Sequence, residues 1–490
     1  MRCTTSFLAI VVRPATVISR TICLFVCLLL FGSVGLVWGF FVIFREETTH
    51  VALRLPAPPM VVERVYVPIK GELTPGSGTP APLSVNWSQF RGENRDAISP
   101  ETVPLRKNWT ETQPPPTLWD LPLGDGYAGF AVRNGMVYIL DYDEKNQRDA
   151  LRCLSMADGQ EIWRFSYPVR IKKNHGMSRT IPAVTDEYCV SLGPKCHVLC
   201  VDARTGEEKW FIDLVHTYGT TEPQWYAGQC PLIVTLPGND KPSAIIAPVG
   251  PEALMVAFDC ETGEEVWWTP NPFGWEMTHT SLAPMMLEGQ LTFVYFGGEG
   301  VVGVRAADGE ILWSTKGLPV GLATCPSPVM VPENRIFCCG GYNTGSVMYQ
   351  IVPDSQTGKY NARTLFQLSD RVFDSEQQTP IYYEGHVYGL RNSDKRFVCL
   401  NLEGKIVWES GRTEKFGSGP FIIVDGMILI LDDDGKLTGC EATSAGYRKL
   451  FEAEIFEDIA DGCCWAPMAI VEGRLLLRSQ LAMKCIDLRE

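Results

Sequence analysis

One string recurs along the chain and restricts its fold more than anything else in it: a glycine turn followed by a strand that ends in an aromatic residue. Trp163 closes CLSMADGQEIW, Trp210 closes CVDARTGEEKW, Trp267 closes AFDCETGEEVW, Trp313 closes GVRAADGEILW and Trp408 closes CLNLEGKIVW. Two weaker copies end in Phe366 (QTGKYNARTLF) and Phe451 (CEATSAGYRKLF), and Trp119 in PTLWDLPL begins the series. Successive aromatics are 44, 47, 57, 46, 53, 42 and 43 residues apart. An interval of this size is one four-stranded propeller blade.

Turn chemistry within each interval agrees. Asn134-Gly135, Glu288-Gly289, Glu384-Gly385, Asp425-Gly426 and Glu472-Gly473 separate apolar runs, where glycine supplies the positive φ of a hairpin. Asp158-Gly159, Thr205-Gly206, Thr262-Gly263, Asp308-Gly309 and Glu403-Gly404 serve the last hairpin, and helical periodicity is absent. After Phe451 only three strands remain, so the fourth strand of the last blade is missing. The Trp119 strand, at Leu118 to Leu123, is expected to supply it and latch an eight-bladed ring over residues 118–490. The 45 glycines and 34 prolines fit such an all-β architecture.

Thr21 to Phe44 carries no charge over 24 residues, long enough as a helix to cross about 30 Å of hydrocarbon. Arg2, Arg13 and Arg20 precede it without an acid, and Glu46 and Glu47 follow Arg45, so the positive-inside bias leaves residues 1–20 in the cytoplasm. The expectation is a signal anchor at 21–44, single-pass in the inner (cytoplasmic) membrane, with the bulk of the chain in the periplasm or cell exterior. A cleaved signal peptide competes with it, but no small-x-small site follows the run. Val26 before Cys27 speaks against a lipoprotein. Residues 45–86 hold seven prolines and GELTPGSGTPAP, expected as a tether, and residues 87–117 form a cap segment. The net charge of −14 makes nucleic acid an unsuitable partner.

With WSQFRGENRDAIS at Trp87 to Ser99 ahead of the first blade, the DxxTGxxxW-type repeats resemble the bacterial PQQ-like β-propeller repeat family. That family is related to the quinoprotein alcohol dehydrogenases and to the propeller lipoprotein of outer-membrane β-barrel assembly. The resemblance covers residues 87–490. It implies an eight-bladed ring in which Trp119, Trp163, Trp210, Trp267, Trp313, Phe366, Trp408 and Phe451 dock between neighbouring blades. For activity it implies little, because the repeat motif is structural.

Several of the 17 cysteines keep a repeat register. Cys153 and Cys200 stand ten residues before their tryptophans, Cys399 nine before, and Cys440 eleven before its phenylalanine, with Cys485 in the same register. They read as small buried hydrophobes. Cys338-Cys339 ends a strand, which points the two side chains to opposite faces. Cys463-Cys464 is the pair to compare with the vicinal disulfide that quinoprotein alcohol dehydrogenases hold against their quinone.

Loops from one blade's outer strand to the next blade's inner strand converge on one channel mouth. There the sequence places His175, Arg179, Trp225, Tyr226, Trp275, Glu276, His279, Asp374, Glu376, Cys463, Cys464 and Trp465. Aromatics with a few ionisable groups suit a ligand or a partner protein; equally, they suit a plugged channel. Asp432-Asp433-Asp434-Gly435 reads as a hairpin turn, since the later ligands of a calcium loop are missing. Cys196-His197 lacks a haem-attachment spacing, and no GxxxxGK[ST], HExxH or GxSxG occurs. No catalytic residue, metal or cofactor is expected. The reading is a membrane-tethered, non-catalytic binding or scaffolding propeller. The alternative is a quinoprotein oxidoreductase using PQQ and calcium.

Overall fold

The computed structural model describes residues 66–490 apart from 102, 175, 458 and 460–462. The expected cytoplasmic segment 1–20, the membrane helix at 21–44 and the tether up to residue 65 lie outside the described residues. Among the described residues no helix is long and apolar enough to cross a membrane.

Residues 67–490 form one compact unit of eight antiparallel sheets. Seven blades follow in chain order at 131–168, 183–213, 232–270, 283–316, 329–368, 381–409 and 421–454. The eighth combines three strands at 469–487 with β2 (Thr117–Pro122), which pairs antiparallel with the last strand so that Trp119 faces Cys485. This is the expected closure, with the latch spanning 117–122. Among the described residues one short helix, α1 (Leu214–Tyr218), interrupts the strands; Asp213 caps it and Gly219, at φ 66, ends it.

Strand sequences follow from position in the ring. A middle strand such as Met427–Leu431 (MILIL) is buried at every residue, because its blade is sandwiched between two others and both faces are apolar. Outer strands alternate instead. Glu161–Pro168 buries Trp163, Phe165 and Tyr167 while the residues between them stay partly open.

The docking aromatics share one geometry. Each faces the third strand of its own blade just after a one-residue register shift, with Trp163 opposite Cys153, Trp210 opposite Cys200, Trp267 opposite Ala257 and Trp408 opposite Cys399. The same shift precedes Trp119, Trp313, Phe366 and Phe451. The extra residue twists the strand and turns the aromatic into the interblade gap. There it meets the turn glycine of the following blade: Trp119 packs on Gly159, Trp163 on Gly206, Trp210 on Gly263, Trp267 on Gly309 and Phe366 on Gly404. Each of these glycines has positive φ and no room for a Cβ. Several indoles also donate across the gap, Trp210 to the Cys260 carbonyl at 2.9 Å and Trp119 to that of Met156 at 3.1 Å.

The same register explains four of the repeated cysteines, whereas Cys440, though buried, stands opposite Lys449 and leaves Gly439 under Phe451. Cys153, Cys200, Cys399 and Cys485 are the small residues directly beneath a docking indole. Gly303 takes that place under Trp313, where a Cβ would lie 2.1 Å from the indole nitrogen. Cys338 and Cys339 face different interblade clusters, as alternation requires.

Part of the expected tether is not free of the propeller. β1 (Glu72–Pro75) pairs with the outer strand of blade 1, Glu72 opposite Ser166 and Pro75 opposite Trp163. Further along, Ala81 donates to the Gly135 carbonyl and the Ser84 amide to Glu472. Low apolar content keeps such a segment from folding alone, but an unpaired sheet edge offers it backbone partners.

Candidate functional site

The cap segment plugs the channel. Trp87 bridges Val132 of blade 1, the Ser88 carbonyl accepts from Val184 of blade 2, and Ile98 bridges Ile423 of blade 7. Between them Arg91 reaches across to blade 6, donating from Nη1 to the Thr379 carbonyl (2.7 Å) and from Nη2 to that of Pro380 (2.9 Å). Arg91, Gly92, Arg95 and Ala97 all have positive φ. Contacts of Ser84, Asn86 and Lys107 with Glu472, Asn134 and Asp425, in the first-hairpin turns, show that the end of the expected tether and the cap lie on the face those turns form.

The opposite mouth stays open as a cavity of about 330 Å³. Loops leading into seven of the eight blades line it, bringing Tyr127, Arg179, Trp225, His279, Cys325, Glu376 and Trp465 together, and Phe90 of the plug forms part of its wall. The channel is therefore blind. A larger, shallower groove of about 640 Å³ adjoins it and shares Trp225, His279, Leu322 and Ala323 with it.

The wall is held by hydrogen bonds within and between loops. Arg179 donates from Nε to the Trp225 carbonyl (2.6 Å) and from Nη2 to that of Asn174 (3.0 Å), and stands over the Tyr127 ring at 5.5 Å. Trp465 stacks on Tyr127 with centroids 5.2 Å apart and donates its indole N–H to Asp433 at 2.8 Å. His279 Nε2 lies 3.0 Å from the Tyr226 carbonyl, and burial, with Arg179 beside it, pushes the imidazole down to about 4. It is neutral at physiological pH. Glu376 pairs with Lys395 at 3.4 Å. Cys325 lines the cavity with its thiol pushed up to about 12 by burial.

Not all expected site residues belong here. Arg179, Trp225, His279, Glu376 and Trp465 line the cavity, whereas Trp275 and Glu276 lie in the outer groove. Trp275 has both faces covered, stacked on Phe273 at 4.4 Å and set against Gly297 and Gly300, so it is a wedge in the fold. Tyr226 is buried and its hydroxyl ties down the backbone of Lys172. Asp374 is buried away from the cavity and accepts from the Asn392 amide, and burial pushes its carboxyl up to about 6. Cys464 is in the main core cluster and Cys463 is half-buried; His175 lies outside the described residues. The sequence reading missed Phe90, Tyr127, Cys230, Cys325 and Tyr342, which come from the plug, from loops or from strand ends without a shared motif.

A quinone with calcium would need several converging oxygen donors. Among the described residues the cavity wall offers one carboxylate, Glu376, already engaged by Lys395. Among the described residues no group of three or more His, Cys, Asp or Glu is placed to hold a metal. No disulfide joins Cys463 to Cys464. The residues present do not fit that pair.

Comparison with known proteins gives a consistent picture of the fold. A family model described as outer membrane protein assembly factor BamB matches residues 109–221 and 242–347. The quinoprotein alcohol dehydrogenase PedH of Pseudomonas putida is 30% identical over 173 residues, which is 34% of this chain. The chain spans about a quarter (27%) of that relative's length. Among solved structures, BamB from Moraxella catarrhalis superposes with a TM-score of 0.50 at 14% identity, covering 76% of this chain and 99% of that one. The quinohemoprotein alcohol dehydrogenase ADHIIG from Pseudomonas putida HK5 gives 0.53 at 15% identity, covering 82% and 80%.

Proposed function

We propose that this chain, whose repeats resemble the PQQ-like β-propeller family and match its family model over residues 109–221 and 242–347, is a non-catalytic binding or scaffolding propeller held outside the cytoplasm by an N-terminal membrane helix. The observation that carries this reading is the blind channel: a closed ring, plugged at one end by its own cap segment, whose other end is an aromatic-walled cavity opening into a groove. Such a cavity has the size and the mix of apolar wall and few polar groups that ligand sites have. Among the described residues it holds no nucleophile with an adjacent base, since His279 is neutral and bonded to a backbone carbonyl. The rim residues Trp225 and exposed Leu322 belong to both cavity and groove, and such apolar anchors suit a protein partner as well as a small ligand.

Relatives named as alcohol dehydrogenases support a second reading, a PQQ- and calcium-dependent oxidoreductase. Titrating the purified chain with PQQ and Ca²⁺ while following absorbance and dye-linked alcohol oxidation separates the two. The expected result is neither stoichiometric binding nor turnover; both together would overturn the scaffold reading.

A further inference from the structure

The cap is anchored to the ring on both sides of one carboxyl group. Before it, the Ser99 amide donates to the Ile423 carbonyl at 2.8 Å and the Ile423 amide to that of Ala97 at 2.9 Å, which fixes the chain on blade 7. After it, the Arg106 amide donates to the Leu488 carbonyl at 2.8 Å and Leu105 bridges Arg489, which fixes the chain on blade 8. Glu101 lies between the two anchors. It is only 8% exposed, and among the described residues neither of its carboxyl oxygens has a hydrogen-bond partner.

Its surroundings disfavour a second negative charge. Glu101 packs against the Glu472-Gly473-Arg474 turn of blade 8. There Glu472 accepts from the Ser84 amide at 2.8 Å and from its hydroxyl at 3.2 Å; against the opposing effect of burial, such bonds hold its carboxyl below the ordinary range, so it is an anion at neutral pH. Arg474 is the opposite charge that bears on Glu101, and it already stands 3.9 Å from Glu472. The charges on the neighbouring elements are taken: Arg489 pairs with Asp487 at 2.6 Å on the last strand, and Lys107 with Asp425 at 2.9 Å on the turn of blade 7. A buried carboxyl without hydrogen bonds and beside a like charge favours its neutral form. Burial, with Glu472 acting in the same direction, pushes Glu101 up to about 7; the Gly473 amide, outside hydrogen-bond geometry, and Arg474 oppose this without cancelling it.

We infer that Glu101 is a proton-operated latch on the cap: protonated, it lets residues 97–106 lie across blades 7 and 8; ionised, it sets a second anion against Glu472 and loosens that stretch. A carboxyl that holds its proton more tightly with the cap seated than with it loose stabilises the seated form at low pH, and that stabilisation fades as pH rises through about 7. With the loose stretch titrating as an ordinary glutamate, the ratio of seated to loose forms should fall roughly tenfold between pH 6 and 8.5. The other end of the cap lies outside this device. Trp87 and Val132 exchange backbone hydrogen bonds at 2.8 Å, and Arg91 holds blade 6 through backbone carbonyls.

The test is amide hydrogen exchange of the full chain in neutral detergent from pH 6 to 8.5, with protection factors corrected for the intrinsic pH dependence of exchange. Ser99, Ile423 and Arg106 are expected to lose about tenfold in protection over that range, while Trp87 and Val132 keep theirs. Glu101→Gln, neutral at every pH, should hold the three amides at their pH 6 protection throughout. Glu472→Gln, which removes the like charge, should move the midpoint of the fall to lower pH. The parent profile needs no substitution, so a variant that fails to fold leaves the test intact. Flat protection at Ser99, Ile423 and Arg106 in the parent would overturn the latch, as would an undiminished fall in Glu101→Gln. An equal fall at Trp87 and Val132 would mark a loss of stability of the whole domain and would overturn it too.

Discussion

The side chains that hold the ring and those that line its mouth make different demands, and substitution separates them. Trp210 is buried between two blades and donates across the gap, so Trp210→Ala should cost about 3–5 kcal/mol, seen as a lower denaturation midpoint. Trp225 is half-buried at the rim; Trp225→Ala should leave the midpoint nearly unchanged and weaken ligand or partner binding. Trp275→Ala should behave like a core change, because its ring is wedged between Phe273 and two glycines. Asp149 offers a test in pH. It is fully buried, accepts from the Tyr167 hydroxyl at 2.8 Å and from Ser178, and burial pushes its carboxyl up to about 7. A raised acid binds its proton more tightly in the folded state, so folding loses stability as pH rises from the ordinary carboxylate range through about 7. Asp149→Asn should therefore melt higher than the parent at pH 8, with the gap closing toward pH 4.

At the level of strands, the shift before every docking aromatic is the device that makes the repeat a ring. The residue it leaves over faces outward in several blades, which accounts for exposed Leu118, Val266, Leu365 and Val407. An apolar patch read from these residues alone would mistake a packing device for an interface. β2 closes the ring both by pairing with the last strand and by docking Trp119 on Gly159 of blade 1. Deleting residues 117–122 should expose the last blade's edge and dissolve that interblade contact, lowering the melting temperature sharply in calorimetry. Deleting 72–75 removes only β1, which adds a fifth strand outside a complete blade, and should shift it far less. A latch deletion that melts like the parent would contradict this account of closure.

For the molecule as a whole, the plug and the cavity make one object. Arg91 links the cap to blade 6 on a path that also touches blades 1, 2 and 7, so the segment braces the ring across its diameter as it closes the channel. Arg91→Ala would orphan the carbonyls of Thr379 and Pro380 and should destabilise the domain by about 2 kcal/mol or more, measured by denaturant titration. The chain past residue 45 carries 39 basic and 57 acidic residues, so anionic lipid should not hold the propeller. Membrane association should depend on residues 21–44: removing 1–45 is expected to release the protein into the soluble fraction on cell fractionation.

The fold was legible because a propeller writes its period into the chain. Each blade repeats a docking aromatic, most with a turn glycine to receive it and a small residue opposite it, although Met348 stands opposite Phe366, and counting strands reveals that the last one is missing. The site was legible only in part. Inter-blade loops could be assigned to one mouth, which located Arg179, Trp225, His279, Glu376 and Trp465, but no period governs which loop side chains turn inward. Trp275 and Tyr226 have the same composition as true wall residues and are used for packing. Phe90 and the other residues of the plug were hidden for a different reason. They precede the repeats, and only the folded ring brings a segment far from the blades in sequence into the centre of the channel, where eight inner strands leave space for it.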